Sequence, residues 1–220
     1  MGWDVGPLTG QIVRLDPLNP THAADLVKAA EESRETYEFA LVPEGPEAMT
    51  AYIGGLLHDQ DRGETVPFVQ VRQADGAPVG MTRFLNIRVR PGGDTPYAVE
   101  VGGTWLAASA QRSGINAEAK LLLLTYAFET WKAGRVDIKT DVRNQRSRTA
   151  IAAIGGTFEG VLRGWQPSQV DGEEDRLRDT AMFSIVAAEW PEVSRMLQSS
   201  VQWLQAHAPA GARPKAESSE

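Results

Sequence analysis

The sequence predicts a mixed α/β (α+β) fold in which a mostly antiparallel, twisted sheet carries helices on both faces. Three observations lead to this class. Two amphipathic helical segments come first, a meander of strands follows, and a strand–helix–strand–helix unit precedes a closing hairpin. The chain has 220 residues. This length is enough for one domain with a substantial core and too short for two full domains.

Composition excludes several classes of function. The chain has no cysteine, so it forms no disulfide, thiolate metal site or cysteine nucleophile, and its three scattered histidines predict no metal site. The formal net charge of -7 repels phosphate backbones, so we expect no nucleic-acid partner. No apolar run approaches the roughly 20 residues that cross a bilayer, and the N-terminus lacks a signal sequence. We therefore expect no membrane partner and a cytoplasmic location.

Helical and alternating spacing of apolar residues defines the elements of the first half. Asp75-Gly76 and Pro91–Asp94 are turn signals that separate the strands of the meander. The predicted elements are a strand over Gln11–Leu15, a helix capped by Asn19 or Thr21 and reaching about Glu32, a helix over Pro46–Asp61, and strands over Pro67–Arg72, Val79–Val89 and Tyr97–Ala107.

The second half alternates helices and strands. Gly134 is expected to close the first of its helices, and Gly155-Gly156 the second. The predicted elements are a helix over Ile115–Ala133, a strand over Val136–Thr140, a helix over Gln145–Ile154, strands over Phe158–Arg163 and Asp179–Ala187, and a helix over Trp190–Gln205. We expect one domain over residues 1–207 and a disordered tail over residues 208–220, which are rich in Pro, Ala, Ser and charges.

A phosphate-binding turn is predicted where the meander ends. Gly102 and Gly103 interrupt a strand, and such glycines often mark a bulge or a close approach of a ligand. Next, Gln111–Ala117 forms a strand-to-helix turn, whose free N–H groups and helix dipole favour an anion. Arg112 adds a permanent positive charge. The alternative is an ordinary strand–glycine–helix turn without a ligand, since such turns occur throughout α/β proteins.

Four segments resemble the GNAT superfamily of acetyltransferases, and its RimJ/RimL branch in particular. Gln111–Asn116 (QRSGIN) is similar to the acetyl-CoA pyrophosphate loop, although Asn116 stands where the superfamily usually has glycine or alanine. The other three segments are Val99–Leu106, Lys139–Ile151 and Gly155–Arg163. The resemblance implies the GNAT fold and acetyl-CoA as the acetyl donor.

The resemblance also assigns residues to the donor. In the superfamily the fourth and fifth strands splay apart and pantetheine lies between them. One backbone N–H near Trp105–Ala107 would then polarise the thioester carbonyl. The pyrophosphate loop and the start of the helix over Gln145–Ile154 would complete the donor site. The implied donor-binding residues are Trp105, Leu106, Ala107, Arg112, Ser113, Gly114, Ile115, Asn116, Ala117, Asn144, Ser147 and Arg148.

Direct attack of a neutral amine on a thioester requires a base, a stabilised oxyanion and a proton for the departing thiolate. We expect Glu100 to be the base, directly or through a water. The alternative is a strand glutamate that faces solvent or pairs with Arg83 or Arg88. Related enzymes often have a tyrosine acid where this chain has Ile151. Ser147 would therefore bind the thiolate, or a water that protonates it.

Three further assignments concern the surroundings of the reacting groups. Asn144 is expected near the pantetheine arm or the acetyl group, and a helix N-cap is the simpler alternative. Tyr37 and Phe39 are expected to contact the acceptor together with Glu100, unless the two aromatic rings belong to the core. The polar loop Gln166–Arg178 would cover the same side.

Three functions remain open at this point. The first is acetylation of a primary amine at a protein or peptide N-terminus. The second is acetylation of a free small molecule, such as an amino-acid derivative, a polyamine or an antibiotic. The third is a non-catalytic acyl-CoA-binding module. The terminal helix could cover the sheet of its own domain or pair with a second subunit, so a homodimer is one expected form of assembly.

Overall fold

A computed structural model describes residues 3–207, which form a single eight-stranded sheet with helices packed against it. The strands are β1 (Leu8–Thr9), β2 (Val13–Pro17), β3 (Thr65–Arg72), β4 (Pro78–Val89), β5 (Pro96–Leu106), β6 (Arg135–Asp141), β7 (Thr157–Pro167) and β8 (Leu177–Val186). Their order is β1-β2-β3-β4-β5-β6-β8-β7. Within the described chain, β5 and β6 form the parallel pair and the other neighbours are antiparallel.

Helices cover both faces of this sheet, which confirms the predicted fold class. They are α1 (Ala23–Ala30), α2 (Gly45–Asp61), α3 (Ile115–Thr125), α4 (Gln145–Ala153) and α5 (Trp190–His207). The first two helices pack against each other and against β3 and β4, whereas α3 packs on β1, β2 and β3 together with α5. Helix α4 packs on β6.

The start of the first helix follows the predicted cap. The Asn19 side chain accepts a hydrogen bond from the Thr21 N–H at 3.0 Å and begins a short 3-10 turn that leads into α1. Helix α1 ends at Ala30, slightly before the predicted end, because the chain then forms a second 3-10 turn over Arg34–Tyr37.

The helix predicted over Ile115–Ala133 is confirmed as far as Thr130, but its last turn is π-helical and it ends three residues early. Helix α3 ends at Thr125, and a π-helical turn follows in which the Trp131 N–H donates to the Tyr126 carbonyl. This wider turn places the Trp131 ring 4.7 Å from the ring of Phe84 in the core. Gly134 does not close the helix, because its N–H donates to Tyr97 of β5.

Other boundaries differ by smaller amounts. The two-residue strand β1 is too short to give a periodic signal and was absent from the prediction. Strands β7 and β8 extend further than expected, so the loop between them spans residues 168–176 rather than Gln166–Arg178. The predicted disordered tail over residues 208–220 lies outside the described residues.

A buried carboxylate ties α3 to the N-terminal edge of the sheet. Glu118 accepts hydrogen bonds from the backbone N–H groups of Gln11, Ile12 and Val13 at 2.7–2.9 Å. Gly10 passes so close that a β-carbon there would lie 2.4 Å from the Glu118 carboxyl group. Since buried N–H groups are costly to leave unpaired, Glu118 fixes the start of β2 against the helix that begins the predicted phosphate loop.

Candidate active site

Pairing between the parallel strands β5 and β6 stops partway along β5, and this opens the site. Only three residues of β5 pair with β6, the last being Glu100 opposite Asp137. The register of β5 on β4 shifts between Gly102 and Trp105, where Gly103 takes a left-handed φ of +57°. This is the bulge that the paired glycines predict. A bulge bends its strand, so β5 diverges from β6 beyond Glu100 and leaves a gap between them.

One backbone N–H at the end of β5 points into this gap. The Ala107 N–H donates to the Val79 carbonyl of β4 at 2.8 Å. Because peptide groups alternate in direction along an antiparallel strand, the Leu106 N–H points away from β4 and towards β6. The Leu106 carbonyl on the same side accepts from Gln111 Nε2 at 3.1 Å. Of the three residues predicted to offer backbone contacts, Leu106 is the one oriented for this role.

The Trp105 side chain belongs to the core below the gap. Its ring is buried and packs edge to face on Tyr37, with centroids 5.9 Å apart. Tyr37, predicted to contact the acceptor, is itself only 7% exposed, and burial raises its pKa to about 12. The two aromatic rings therefore pack the connection between α1 and α2 against the core.

The predicted phosphate loop has the backbone shape of an anion site. Arg112 and Gly114 both adopt left-handed conformations, with φ of +59° and +89°. Among residues 3–207, no acceptor bonds the N–H groups of Ser113, Gly114, Asn116 and Ala117. Left-handed residues next to a helix start turn successive N–H groups towards one side, which is a favourable arrangement for phosphate oxygens. Arg112 is exposed beside them.

The inner side of the loop is fixed by packing. A β-carbon on Gly114 would lie 3.0 Å from Ile12 Cδ1 and 3.3 Å from Leu204 of α5, so glycine is required by both the conformation and the neighbours. Ile115 is buried in the core, and the Ser113 hydroxyl donates to the Ala110 carbonyl. Asn116, which departs from the superfamily pattern, has a buried Oδ1 atom without a partner in the described chain.

The start of α4 lies across the gap from the loop. Asn144 caps this helix, since its Oδ1 accepts the Ser147 N–H at 2.9 Å, and the Ser147 side chain is half-buried. Arg148 turns away, with its guanidinium donating to the Val142 carbonyl and lying over the Phe158 ring. Arg146 instead points towards the loop, where its guanidinium contacts Gln111 Oε1 at 3.4 Å.

Glu100 stands where the two strands separate. Glu100 is 5% exposed, and its Oε2 accepts from Asn86 at 2.7 Å and from Lys139 at 2.9 Å. The partners considered from the sequence, Arg83 and Arg88, do not bond it in the described chain, because Arg88 pairs with Asp137. Both observed donors bind Oε2, so Oε1 is left for another group.

Three loops meet on the Glu100 side of the sheet. The Arg143 guanidinium bonds Asp141 and Glu173 and lies 5.4 Å from the centre of the Phe39 ring. These contacts bring together the connection between α1 and α2, the turn before α4, and the loop between β7 and β8. The Arg143 ion pair lowers the pKa of Glu173 to about 2. Phe39, half-buried here, remains a predicted acceptor contact.

A buried lysine supports the bulge from the opposite face. Lys120 of α3 donates from Nζ to the hydroxyl of Thr82 on β4 at 3.1 Å and to that of Thr104 on β5 at 2.5 Å. Complete burial lowers its pKa from 10.5 to about 7. Its place in an apolar helical run gave no sign of this role in the sequence.

Residues 3–207 contain neither a candidate metal site nor a candidate membrane-spanning helix. No three His, Cys, Asp or Glu side chains are grouped closely enough to hold a metal ion. None of the described helices combines the length and the apolarity that are needed to cross a membrane.

Comparisons with known proteins agree with this geometry. A family model described as "Acetyltransferase (GNAT) domain" matches residues 13–157. A Bacillus subtilis (strain 168) protein, YdaF, provisionally named as a ribosomal N-acetyltransferase, is 34% identical over 88 residues, which is 40% of this chain. The match spans 45% of YdaF, less than half of that relative.

Solved structures match over most of the chain. A GCN5-related N-acetyltransferase from Brucella melitensis is 25% identical, with a TM-score of 0.79 over 98% of this chain and 93% of that one. Mycobacterium smegmatis RimJ in complex with CoA-disulfide is also 25% identical, with a TM-score of 0.71 over 89% of this chain and 93% of that one.

The buried Lys120 predicts a specific pH dependence of stability. Between pH 7 and 10.5 the unfolded chain binds the lysine proton and the folded chain does not, so the free energy of unfolding increases with pH. The slope reaches about 1.4 kcal/mol per pH unit. Urea titrations of the wild type and Lys120→Met at several pH values in this window measure the slope. The free energy of unfolding of Lys120→Met is expected to lack this increase with pH. Equal slopes for the wild type and the variant would show that Lys120 titrates normally.

Proposed function

The chain belongs to the GNAT acetyltransferase family, and from this premise we propose that it transfers an acetyl group from acetyl-CoA to the primary amine of a protein or peptide N-terminus. The observation that carries the proposal is the combination of a gap between β5 and β6 with an anion-binding loop at its mouth. Family membership makes the chain an acyl-CoA-dependent N-acetyltransferase, whereas the acceptor class is our inference.

The donor site follows from the orientation of backbone groups. The N–H groups of Ser113, Gly114, Asn116 and Ala117 would bind the pyrophosphate, with the Arg112 charge beside them. From the loop, pantetheine would lie along the open edge of β5, where the Leu106 N–H has no strand partner in the described residues. Arg146 is suitably placed to add a second positive charge at the mouth of the gap.

The reaction needs few protein groups. The amine nitrogen attacks the thioester carbonyl carbon, the carbon–sulfur bond breaks, and CoA leaves as a thiolate. Glu100 would accept the amine proton through Oε1, directly or by way of a water. Leu106 would donate its N–H to the developing oxyanion, which preorganised donors stabilise more than the starting carbonyl.

Protonation of the thiolate cannot follow the tyrosine route. Ile151 occupies that position and is buried, so no hydroxyl is available there. The Ser147 hydroxyl at the start of α4 would bind the thiolate, or a water that protonates it. Asn144 would act mainly by capping this helix, which fixes where Ser147 lies.

The name of one relative supports an acceptor on a protein. YdaF is named as a ribosomal N-acetyltransferase, although the match covers less than half of it. The meeting of three loops around Phe39, Arg143 and Glu173 supplies a surface beside Glu100 on which a peptide would lie. If the acceptor is instead a free small molecule, small amines are expected to be acetylated at least as fast as peptides.

Charge reversal in the loop tests donor binding. Arg112→Glu is expected to weaken acetyl-CoA binding at least about tenfold, because it replaces attraction of the pyrophosphate by repulsion. Isothermal titration calorimetry measures the affinity, with the exposed Arg195→Glu on α5 as a control of equal charge change. Failure of the well-folded wild type to bind acetyl-CoA would contradict the proposed function.

Replacing the proposed base tests the chemical step. Glu100→Gln is expected to lower kcat about 100-fold while acetyl-CoA affinity changes little, since general bases contribute at this scale. Lys139→Met is the matched control, because it removes the same ion pair but keeps the carboxylate. If both variants lose activity equally, Glu100 serves to hold the strands together and is not the base.

A further inference from the structure

Arg178, at the start of β8, is a buried cation without a partner. It is 7% exposed, and within residues 3–207 its Nε atom forms no hydrogen bond. Its Nε atom is also shielded from solvent. Burial lowers the pKa of Arg178 below its usual value. A buried guanidinium normally has a carboxylate or several carbonyl oxygens around it, so its lack of a partner requires an explanation.

The nearest negative charges are already bound to other groups. Asp141 and Glu100 both act on Arg178 electrostatically and raise its pKa, against the larger effect of burial. Asp141, however, bonds the guanidinium and the backbone N–H of Arg143. Glu100 bonds Asn86 and Lys139. The nearby Arg143 charge acts on Arg178 in the opposite sense, and Arg178 forms no direct ion pair with either carboxylate.

A second unpaired polar group lies beside it on the same face of the sheet. Thr180 is fully buried, and its hydroxyl has no partner among the described residues. Thr180 is opposite Asp141 on β6, and Lys139 lies two residues before Asp141 on that strand. Because side chains two apart share a face, Arg178 and Thr180 face the same side as Lys139 and its partner Glu100.

We propose that Arg178 forms a subsite that binds a carboxylate of the acceptor while the acceptor amine lies at Glu100. The proposal rests on the proposed acetyltransferase function and adds a substrate class to it, a primary amine with a carboxylate close by. The guanidinium would donate to the carboxylate oxygens, and the buried Thr180 would lie beside it without contacting the acceptor. Arg178 would then be a specificity residue that takes no part in the chemical step.

Two sources can supply this carboxylate. One is a peptide N-terminus with an acidic side chain in its first residues, and the other is a free amino acid with its own α-carboxylate. The loop over residues 168–176 ends two residues before Arg178 and is held by the Arg143–Glu173 ion pair, so both acceptors would reach Arg178 beside this loop. The two sources are separated by experiment.

The test compares matched acceptors that differ only in the carboxylate. Acetylation of a Ser-Glu peptide is measured against the Ser-Gln peptide, and that of glycine against glycinamide, by the release of free CoA. The wild type is expected to show a kcat/KM at least about tenfold higher for the acid within one of these pairs, which identifies the source. Arg178→Gln is expected to abolish this preference.

A neighbouring arginine provides the control. Arg176 is exposed and pairs with Glu173 in the loop, so Arg176→Gln changes the net charge equally and is expected to retain the preference. Arg178→Gln removes an unpaired buried charge, so its melting temperature is expected to be no lower than that of the wild type. A large drop in melting temperature would instead assign Arg178 to the core.

The contradicting results are equally specific. A wild type that acetylates acids and amides alike overturns the carboxylate subsite, as does a preference that survives in Arg178→Gln. If the acids are neither acetylated nor bound by the CoA-loaded protein in calorimetry, the subsite is again wrong. Acetyl-CoA binding, measured separately, then decides whether the proposed function fails with it.

Discussion

Strand β5 pairs on both sides only as far as Glu100, and the arrangement of the site depends on this limit. Its register on β4 shifts at the bulge around Gly103, and its parallel pairing with β6 ends opposite Asp137. Strands normally satisfy their peptide groups with a neighbour, so the open edge of β5 offers backbone donors that are otherwise rarely available. Lys120, bonded to Thr104 and Thr82, supports the bulge from below. The gap is therefore part of the folded scaffold.

The groups around the gap are held by contacts between elements distant in sequence. Arg146 at the start of α4 donates to the Thr36 carbonyl and contacts Gln111, which itself donates to the Thr36 hydroxyl. These bonds join the connection after α1, the predicted phosphate loop and α4 around the mouth of the gap. Leu204 near the end of α5 packs against the loop from inside. The proposed donor side is thus tied together by several contacts, whereas the proposed acceptor side depends on longer loops joined through Arg143.

Much of the fold and the turn at Gly114 could be predicted from local signals, whereas the assignment of that turn to the acetyl donor came from a family resemblance and stays a prediction. Spaced apolar residues identified the helices and strands, and the glycines marked the bulge and the loop. The partners of Glu100 could not be predicted, since Lys139 reaches it only through the register of β5 on β6. Arg178 was assigned to a loop end, and its burial follows from the longer pairing of β8. Lys120 was hidden in an apolar helix whose burial depends on packing.

The most direct test of this account is amide hydrogen exchange at Leu106 with and without acetyl-CoA, followed by NMR. The Leu106 N–H points into the gap, so acetyl-CoA is expected to slow its exchange markedly. The Ala107 N–H is already bonded to Val79 and serves as the internal reference, with a smaller change expected. Unchanged exchange at Leu106 in a protein saturated with acetyl-CoA would show that the donor does not bind along the open edge of β5.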